Sequence, residues 1–164
     1  MEGTIVAVCL SEEKGIPKRD MKEAELKADW GIVGDAHAGH WHRQVSLLAM
    51  ESIEKMRAEG LNVGPGSFAE NLTTQGLDLL SLPIGSRVRV GSDVVLEITQ
   101  IGKECHSGCA ILRQTGKCIM PGEGVFARVI RGGEVKAGDP IEVMAGNEVP
   151  QCPRARNSRG AGRG

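Results

Sequence analysis

The stretch RVRVGSDVVLEITQI, residues 87–101, decides the fold class of this chain. Polar and apolar side chains alternate along Arg87–Val90 and again along Val94–Ile101, which is the period of a half-buried β-strand. Between them, Gly91-Ser92-Asp93 supplies turn residues. This segment therefore predicts a β-hairpin.

Short apolar or alternating runs predict further strands on both sides of this hairpin. We expect an opening strand over residues 4–10, a second strand over 23–30, a second hairpin formed by 125–130 and 134–136 around Gly132-Gly133, and a closing strand over 141–144. A turn at residues 64–70 leads into one more short strand.

Only one segment has clear helical periodicity. Apolar residues recur at three-residue steps from Leu47 to Met56, which predicts a helix over residues 47–59 with Ser46 as N-cap and Gly60 in the left-handed position after it. Glycine is abundant, at 23 of 164 residues, and the chain has no tyrosine. We therefore expect a mainly β protein, a small closed or nearly closed β-barrel with one or two helices, over residues 1–146.

Charge is distributed unevenly along the chain. Residues 151–164 carry four arginines and no acid, which leaves 16 basic against 21 acidic residues in 1–150. We expect residues 147–164 to form a disordered Arg- and Gly-rich tail. An acidic body with few aromatic side chains argues against nucleic-acid binding. The apolar run 5–10 is too short to span a bilayer and no basic segment precedes it, so we expect a cytoplasmic protein without membrane attachment.

Three of the five cysteines, Cys105, Cys109 and Cys118, lie within fourteen residues. In a reducing compartment this clustering indicates chemistry or metal binding and not a disulfide framework. Lys103 and His106 flank Cys105, and their positive charge favours the thiolate. Cys105 follows a predicted strand in a glycine-containing loop, which suits a nucleophile, a sulfur carrier or a soft-metal ligand.

Structural zinc is an alternative for the same segment. The four donors of a tetrahedral site would be Cys105, His106, Cys109 and Cys118. Adjacent Cys and His ligands point in different directions, however, and a second closely spaced pair is missing. We expect no tightly bound zinc, and a non-catalytic binding module with structural zinc stays the alternative.

Two further segments are rich in polar side chains. GDAHAGHWHR, residues 34–43, holds three histidines that could bind a divalent metal, although a solvated polar loop is the simpler interpretation for the last two. Arg43 offers a fork of donors that suits an oxyanion or a phosphate. Glu70 and Asn71 bring a carboxylate and an amide together at the start of a strand, where such residues usually face solvent.

In this order, the segments resemble a MOSC domain, the module related to the C-terminal part of molybdenum cofactor sulfurases. The resemblance is carried by GDAH (34–37), RQVSLL (43–48) with Glu51, GSFAENLT (66–73), IGSRVRVG (84–91) and LEITQ (96–100) leading to Cys105. It implies a barrel-like domain whose pocket is lined by the His37, Arg43 and Asn71 segments and by one cysteine.

The resemblance also implies the chemistry of that cysteine, which maps onto Cys105. In the family this thiol is proposed to carry sulfur as a persulfide, received from a pyridoxal-phosphate cysteine desulfurase. In relatives that bind the molybdenum cofactor and reduce N-hydroxylated compounds, the equivalent cysteine ligates the molybdenum ion. Both uses depend on a soft thiolate.

We therefore expect a MOSC-type protein of molybdenum cofactor metabolism, with a cysteine desulfurase and cofactor biosynthesis proteins as partners. The chain lacks a ferredoxin-like cysteine pattern, so sulfur transfer or cofactor binding fits it better than a self-sufficient reductase. A molybdenum-dependent reductase with separate electron donors stays a further alternative, and whether the protein is an enzyme stays open. The predicted site residues are Cys105, Lys103 and His106 for the chemistry, and His37, Arg43, Asn71 and Cys105 for the cofactor, with Cys105 as the molybdenum ligand if the cofactor binds directly.

Overall fold

The computed structural model describes residues 2–14, 16–102 and 120–144. Its strands are β1 (Glu2–Leu10), β2 (Arg19–Asp20), β3 (Glu23–Lys27), β4 (Gly31–Ile32), β5 (Val45–Ala49), β6 (Leu72–Gln75), β7 (Arg87–Val90), β8 (Val94–Ile101), β9 (Val125–Arg131), β10 (Gly133–Lys136) and β11 (Pro140–Val143). Its helices are α1 (Met50–Ala58), α2 (Met120–Glu123) and a 3₁₀ turn at Leu79–Ser81. No helix in these described ranges is both long and apolar enough to cross a membrane.

Seven of the described strands close into a barrel. Going round the ring, the neighbours are β1, β11, β7, β8, β9, β5 and β6, and β6 pairs again with β1. The pair β5–β6 is parallel, whereas the other six pairings of this described ring are antiparallel. Strands β10, β3 and β4 form a small separate sheet. The predicted mainly β, closed barrel is confirmed.

Alternation along the strands fills the barrel with aliphatic side chains. In the hairpin that decided the fold, Val88, Val90, Leu96 and Ile98 are wholly buried. A second apolar cluster contains Ile53 of α1 together with other side chains, Leu48, Met50, Met56, Val63, Phe68 and Phe126. Each fully buried aliphatic side chain contributes about 1.5–3 kcal/mol, so this interior supplies the stability that holds the loops in place.

The helix begins later than its periodicity predicts. Residues 47–49 belong to β5, Ser46 lies within that strand, and the N-cap position is taken by Ala49 without a side-chain hydrogen bond. A parallel strand pair needs a crossover connection, and α1 lies in the one that joins β5 to β6. The prediction of Ser46 as N-cap is therefore wrong. Gly60, at φ +97°, takes the left-handed position as predicted.

One of the two predicted hairpins is confirmed and the other is wrong. β7 and β8 pair with Val90 opposite Val94. β9, however, pairs with β5 and β8, whereas β10 pairs with β3 in the small sheet. A Cβ at Gly132 would meet the carbonyl oxygen of Leu26, so a glycine is needed where the chain leaves the barrel for that sheet.

The other predicted strands are confirmed with changed ends. β1 starts two residues earlier than expected, and β3 ends at Lys27 and not at Trp30. β11 pairs with both β1 and β7 and so closes the ring. The predicted tail at 147–164 lies outside the described residues.

Candidate functional site

The segment between β4 and β5, residues 33–44, is held in place by a buried ion pair. Asp35 Oδ1 accepts hydrogen bonds from Lys18 Nζ at 2.8 Å and from the backbone N–H of Ser11 at 3.1 Å. Asp35 Oδ2 accepts the backbone N–H of His37 at 3.0 Å. The side chains of Lys18 and Asp35 are 0% exposed. This pair ties the segment to the loop that follows β1.

Burial alone would raise the pKa of Asp35. The charge and hydrogen bond of Lys18 and the hydrogen bond from the backbone N–H of His37 outweigh that effect and hold the pKa of this carboxyl well below its usual range. Asp35 is therefore ionised at neutral pH. The ion pair is complete, because each of its charged atoms has a partner.

A tryptophan and an arginine form the next part of the segment. Trp41 Nε1 donates to the carbonyl oxygen of His37 at 2.8 Å, and the two rings lie nearly parallel with centroids 6.5 Å apart. Arg43 Cζ lies 4.7 Å from the Trp41 ring centroid and 5.7 Å from that of Phe126 in β9. Within the described structure, Arg43 Nε is buried and has no hydrogen-bond partner. A buried guanidinium donor without an acceptor is costly, so an acceptor supplied from outside the protein would be favourable here.

These side chains surround one cavity of about 210 Å³. It is lined by Lys14, His37, Trp41, Arg43 and Phe126. Lys14 Nζ also lies over the Trp41 ring, 5.1 Å from its centroid. Two cations and an imidazole thus face the cavity, and none of its described lining residues is acidic. The arrangement is suited to a small anion.

The end of strand β8 reaches the same segment. His42 Nε2 lies 2.7 Å from Gln100 Oε1, and the hydroxyl of Thr99 donates to the carbonyl oxygen of His42. Gln100 Nε2 in turn donates to the carbonyl oxygen of Gly102 at 2.7 Å. His42, the residue before Arg43, is therefore hydrogen-bonded to the end of β8, close in sequence to position 103.

Asn71 and Glu70 are wholly buried, contrary to the expectation that they face solvent. Asn71 Oδ1 accepts the backbone N–H and the hydroxyl of Ser46 at 2.9 and 3.2 Å, and Asn71 Nδ2 donates to the carbonyl oxygen of Cys9 at 3.0 Å. These bonds join β1 to β5 through the residue before β6. Asn71 is not among the described residues that line the cavity.

Glu70 organises the turn before it. Its Oε2 accepts the backbone N–H of Gly66 at 2.7 Å and the hydroxyl of Thr73 at 2.8 Å. Burial raises the pKa of Glu70, although the hydrogen bonds from Gly66 and Thr73 oppose that shift. The carboxyl thus shapes the turn from inside the protein.

Of the predicted site residues, the structure brings His37 and Arg43 to one cavity and places Asn71 in the neighbouring buried cluster. Cys105, Lys103 and His106, with the alternative zinc ligands Cys109 and Cys118, lie outside the described residues. Cys9, which is described, is buried, and that burial raises the pKa of its thiol far above the usual range, so it is not a nucleophile.

Four residues around the cavity were not predicted from the sequence: Lys14, Lys18, Trp41 and Phe126. Trp41 lies within the polar segment 34–43, and its position two residues before Arg43 is a signal from which its role could have been predicted. Lys14 and Lys18 come from an ordinary polar loop, and Phe126 comes from a strand pattern that predicts only core.

The histidine-rich segment does not gather metal ligands. His40 Nδ1 lies 3.3 Å from Asp29 Oδ2, and the other two histidines contact Lys18 and Gln100. Within the described ranges, no group of three or more His, Cys, Asp or Glu side chains is placed to hold a metal ion.

Comparison with known proteins gives the same fold. The family described as MOSC domain matches residues 34–142. YuaD from Bacillus subtilis superposes with a TM-score of 0.70 at 22% identity, covering 87% of this chain and 96% of that one. YiiM from Escherichia coli gives 0.64 at 21%, covering 88% and 70%, and YiiM from Geobacillus stearothermophilus gives 0.66 at 19%, covering 87% and 75%. A search of curated proteins found no match.

Proposed function

Because the chain belongs to the MOSC domain family, we propose that it binds an anionic group of the molybdenum cofactor, or of the acceptor of its sulfur, in the cavity lined by Arg43. The observation that carries this proposal is Arg43, which lines a cavity together with Lys14 and His37 and whose buried Nε has no partner in the described structure. A guanidinium offers a fork of N–H donors that matches the oxygens of a phosphate or an oxyanion.

The cavity fits part of such a ligand. Pockets that enclose a drug-sized molecule hold about 300–1000 Å³, so one of about 210 Å³ suits a phosphate or a molybdenum oxyanion and not a whole pterin cofactor. Lys14, His37 and Arg43 would bind the anionic end. When bound, the cofactor would supply a metal centre whose preferred protein ligand is a soft thiolate.

Cys105 is the residue we assign to the sulfur chemistry. It follows Gly102 by three residues, and three residues of chain span at most about 10 Å. Its thiolate attacks the terminal sulfur of a persulfide on the donor desulfurase. The donor's S–S bond breaks, the donor cysteine leaves as a thiolate, and Cys105 holds the new persulfide, so no oxidant is needed.

The test is the intact mass of the full chain after incubation with a pyridoxal-phosphate cysteine desulfurase and cysteine. We expect the wild type and Cys109→Ser to gain one sulfur atom and Cys105→Ser to gain none, with an unchanged circular dichroism spectrum. Equal gain in Cys105→Ser would contradict the assignment. One zinc ion per chain in the purified protein would also contradict it, because zinc would occupy the thiolate.

A further inference from the structure

We propose that Lys18 is a positioning residue of the cavity. Its ammonium holds the His37 ring in the tautomer that carries its proton on Nε2, and this Nε2–H donates a hydrogen bond to the bound anion. This inference rests on the proposed function for the identity of the acceptor. It assigns His37 the role of a hydrogen-bond donor and excludes it as a general base.

The contacts of Lys18 Nζ carry the argument. This atom lies 2.8 Å from Asp35 Oδ1, 3.1 Å from His37 Nδ1 and 3.4 Å from Ser11 Oγ. An ammonium has three N–H donors and no lone pair, so His37 Nδ1 must be the acceptor of its bond. A neutral imidazole that accepts at one nitrogen carries its proton on the other, which here is Nε2.

Asp35 does not compete for the ring proton. Its Oδ2 lies 3.7 Å from His37 Nδ1, which is beyond hydrogen-bond distance, and already accepts the backbone N–H of His37 at 3.0 Å. In a direct Asp–His pair, Nδ1 would donate to the carboxylate and leave Nε2 as a base. Here Lys18 lies between Asp35 and the His37 ring, so Nδ1 accepts a hydrogen bond and Nε2 is the donor.

Lys18 is itself fixed by the turn that contains Glu70. The backbone N–H of Lys18 donates to the carbonyl oxygen of Gly66 at 2.8 Å, and the N–H of Gly66 donates to Glu70. Gly66 has φ +86°, and a Cβ there would collide with the carbonyl oxygen of Lys18. A chain of hydrogen bonds therefore runs from the buried carboxyl group of Glu70 through Gly66 and Lys18 to His37, which lines the cavity.

Four charged side chains lie near the His37 ring or line the same cavity. Lys18 and Asp35 lie next to His37, and Lys14 and Arg43 line the same cavity, both near the Trp41 ring. A hydrogen on Nδ1 would point at the ammonium of Lys18, which is 3.1 Å away and can only donate. Removing that ammonium would let Nδ1 take up a proton beside Asp35.

The test reads the ring nitrogens of His37 by ¹⁵N NMR in the full chain. In the wild type at pH 8 we expect a protonated Nε2 and an unprotonated Nδ1. In Lys18→Met the proton moves to Nδ1, whereas the surface control Lys27→Met leaves the ring unchanged. The double variant Lys18→Met/Asp35→Asn removes both buried charges and guards against unfolding of the single one. A protonated Nδ1 in the wild type would overturn the inference whatever the variants do.

Inorganic phosphate is the probe for the acceptor. We expect it to shift the Nε2–H resonance of the wild type, and Lys18→Met to bind it about tenfold more weakly at pH 8. Phosphate binding with unchanged affinity in Lys18→Met would refute the positioning role. No phosphate binding with the expected ring proton would instead overturn the proposed function and leave the control of His37 by Lys18 standing.

Discussion

The cluster around Asn71 and the cavity around Arg43 contain similar polar side chains but differ in how those groups are paired. Asn71 is wholly buried, and its amide bonds to Ser46 and to Cys9 on neighbouring strands. Arg43 packs between two aromatic rings, and its buried Nε has no acceptor within the described structure. The first region is complete without a ligand, and the second is not.

Under the proposed function, this difference separates residues that stabilise the barrel from residues that bind the ligand. A buried polar group whose bonds are all made inside the protein contributes to folding, and removing it leaves its partners unpaired. A buried donor without a partner gains only when a ligand supplies the acceptor. The two regions should therefore respond to mutation in opposite ways.

The largest effect is expected on stability, in Asn71→Ala. The substitution strands the backbone N–H of Ser46 and the carbonyl oxygen of Cys9, so we expect the free energy of unfolding to fall by about 3 kcal/mol. Urea denaturation measures it, with the exposed Asn62→Ala as a control that should change stability by less than about 0.5 kcal/mol. A variant as stable as that control but unable to bind phosphate would place Asn71 in the binding site instead.

Arg43→Ala should have the opposite profile. We expect phosphate affinity to fall about 10–100-fold, because a charge-assisted hydrogen bond in a desolvated site is lost, while the unfolding free energy changes by less than about 1 kcal/mol. Calorimetric titration measures the affinity. The control is Arg89→Ala, a half-exposed arginine paired with Glu142 on the barrel wall, which should bind like the wild type. Loss of stability without loss of affinity would assign Arg43 to the fold.

The smallest effect concerns the Lys18–Asp35 pair, which contacts His37 beside the cavity. The pKa of Asp35 is lower in the folded protein than its ordinary value of 3.8, so its contribution to stability is present above that pH and is lost as the pH falls further. We expect the wild type to lose about 1 kcal/mol from this group between pH 5 and about pH 3.

Asp35→Asn checks this sign. Its unfolding free energy is lower at neutral pH, because Lys18 stays buried without its counter-charge, and it should decline less steeply between pH 5 and 3 than that of the wild type. Parallel slopes in urea denaturation series at the two pH values would show that Asp35 does not carry this pH dependence.

Local sequence patterns predicted the strands of the barrel but not where α1 begins or which strand β10 pairs with. The alternation in residues 87–101 determined β7 and β8 because both strands and their turn are contiguous. The predicted helix start was wrong because residues 47–49 pair with β6 and so belong to strand β5. The predicted second hairpin was wrong because β10 pairs with β3, which is distant in sequence. Periodicity within one segment carries no information about such partners.

The candidate site was also predictable only where its residues are close in sequence. His37 and Arg43 share one loop, so their meeting at a cavity follows from sequence proximity. Phe126 lines it, and Lys18 contacts His37, only because the barrel brings the strand β9 and the loop after β1 beside that segment. Whether Asn71 faces a ligand or the interior was equally undetermined, because an amide at a strand start fits both until its partners are known.

The most direct test of the account is the ¹⁵N resonance of the Arg43 Nε–H group, followed by NMR while inorganic phosphate is added to the full chain. We predict a saturable shift of that resonance that is absent when chloride is added at equal ionic strength. A resonance that does not move, at phosphate concentrations that saturate any binding elsewhere on the protein, would contradict the claim that this cavity binds an oxyanion.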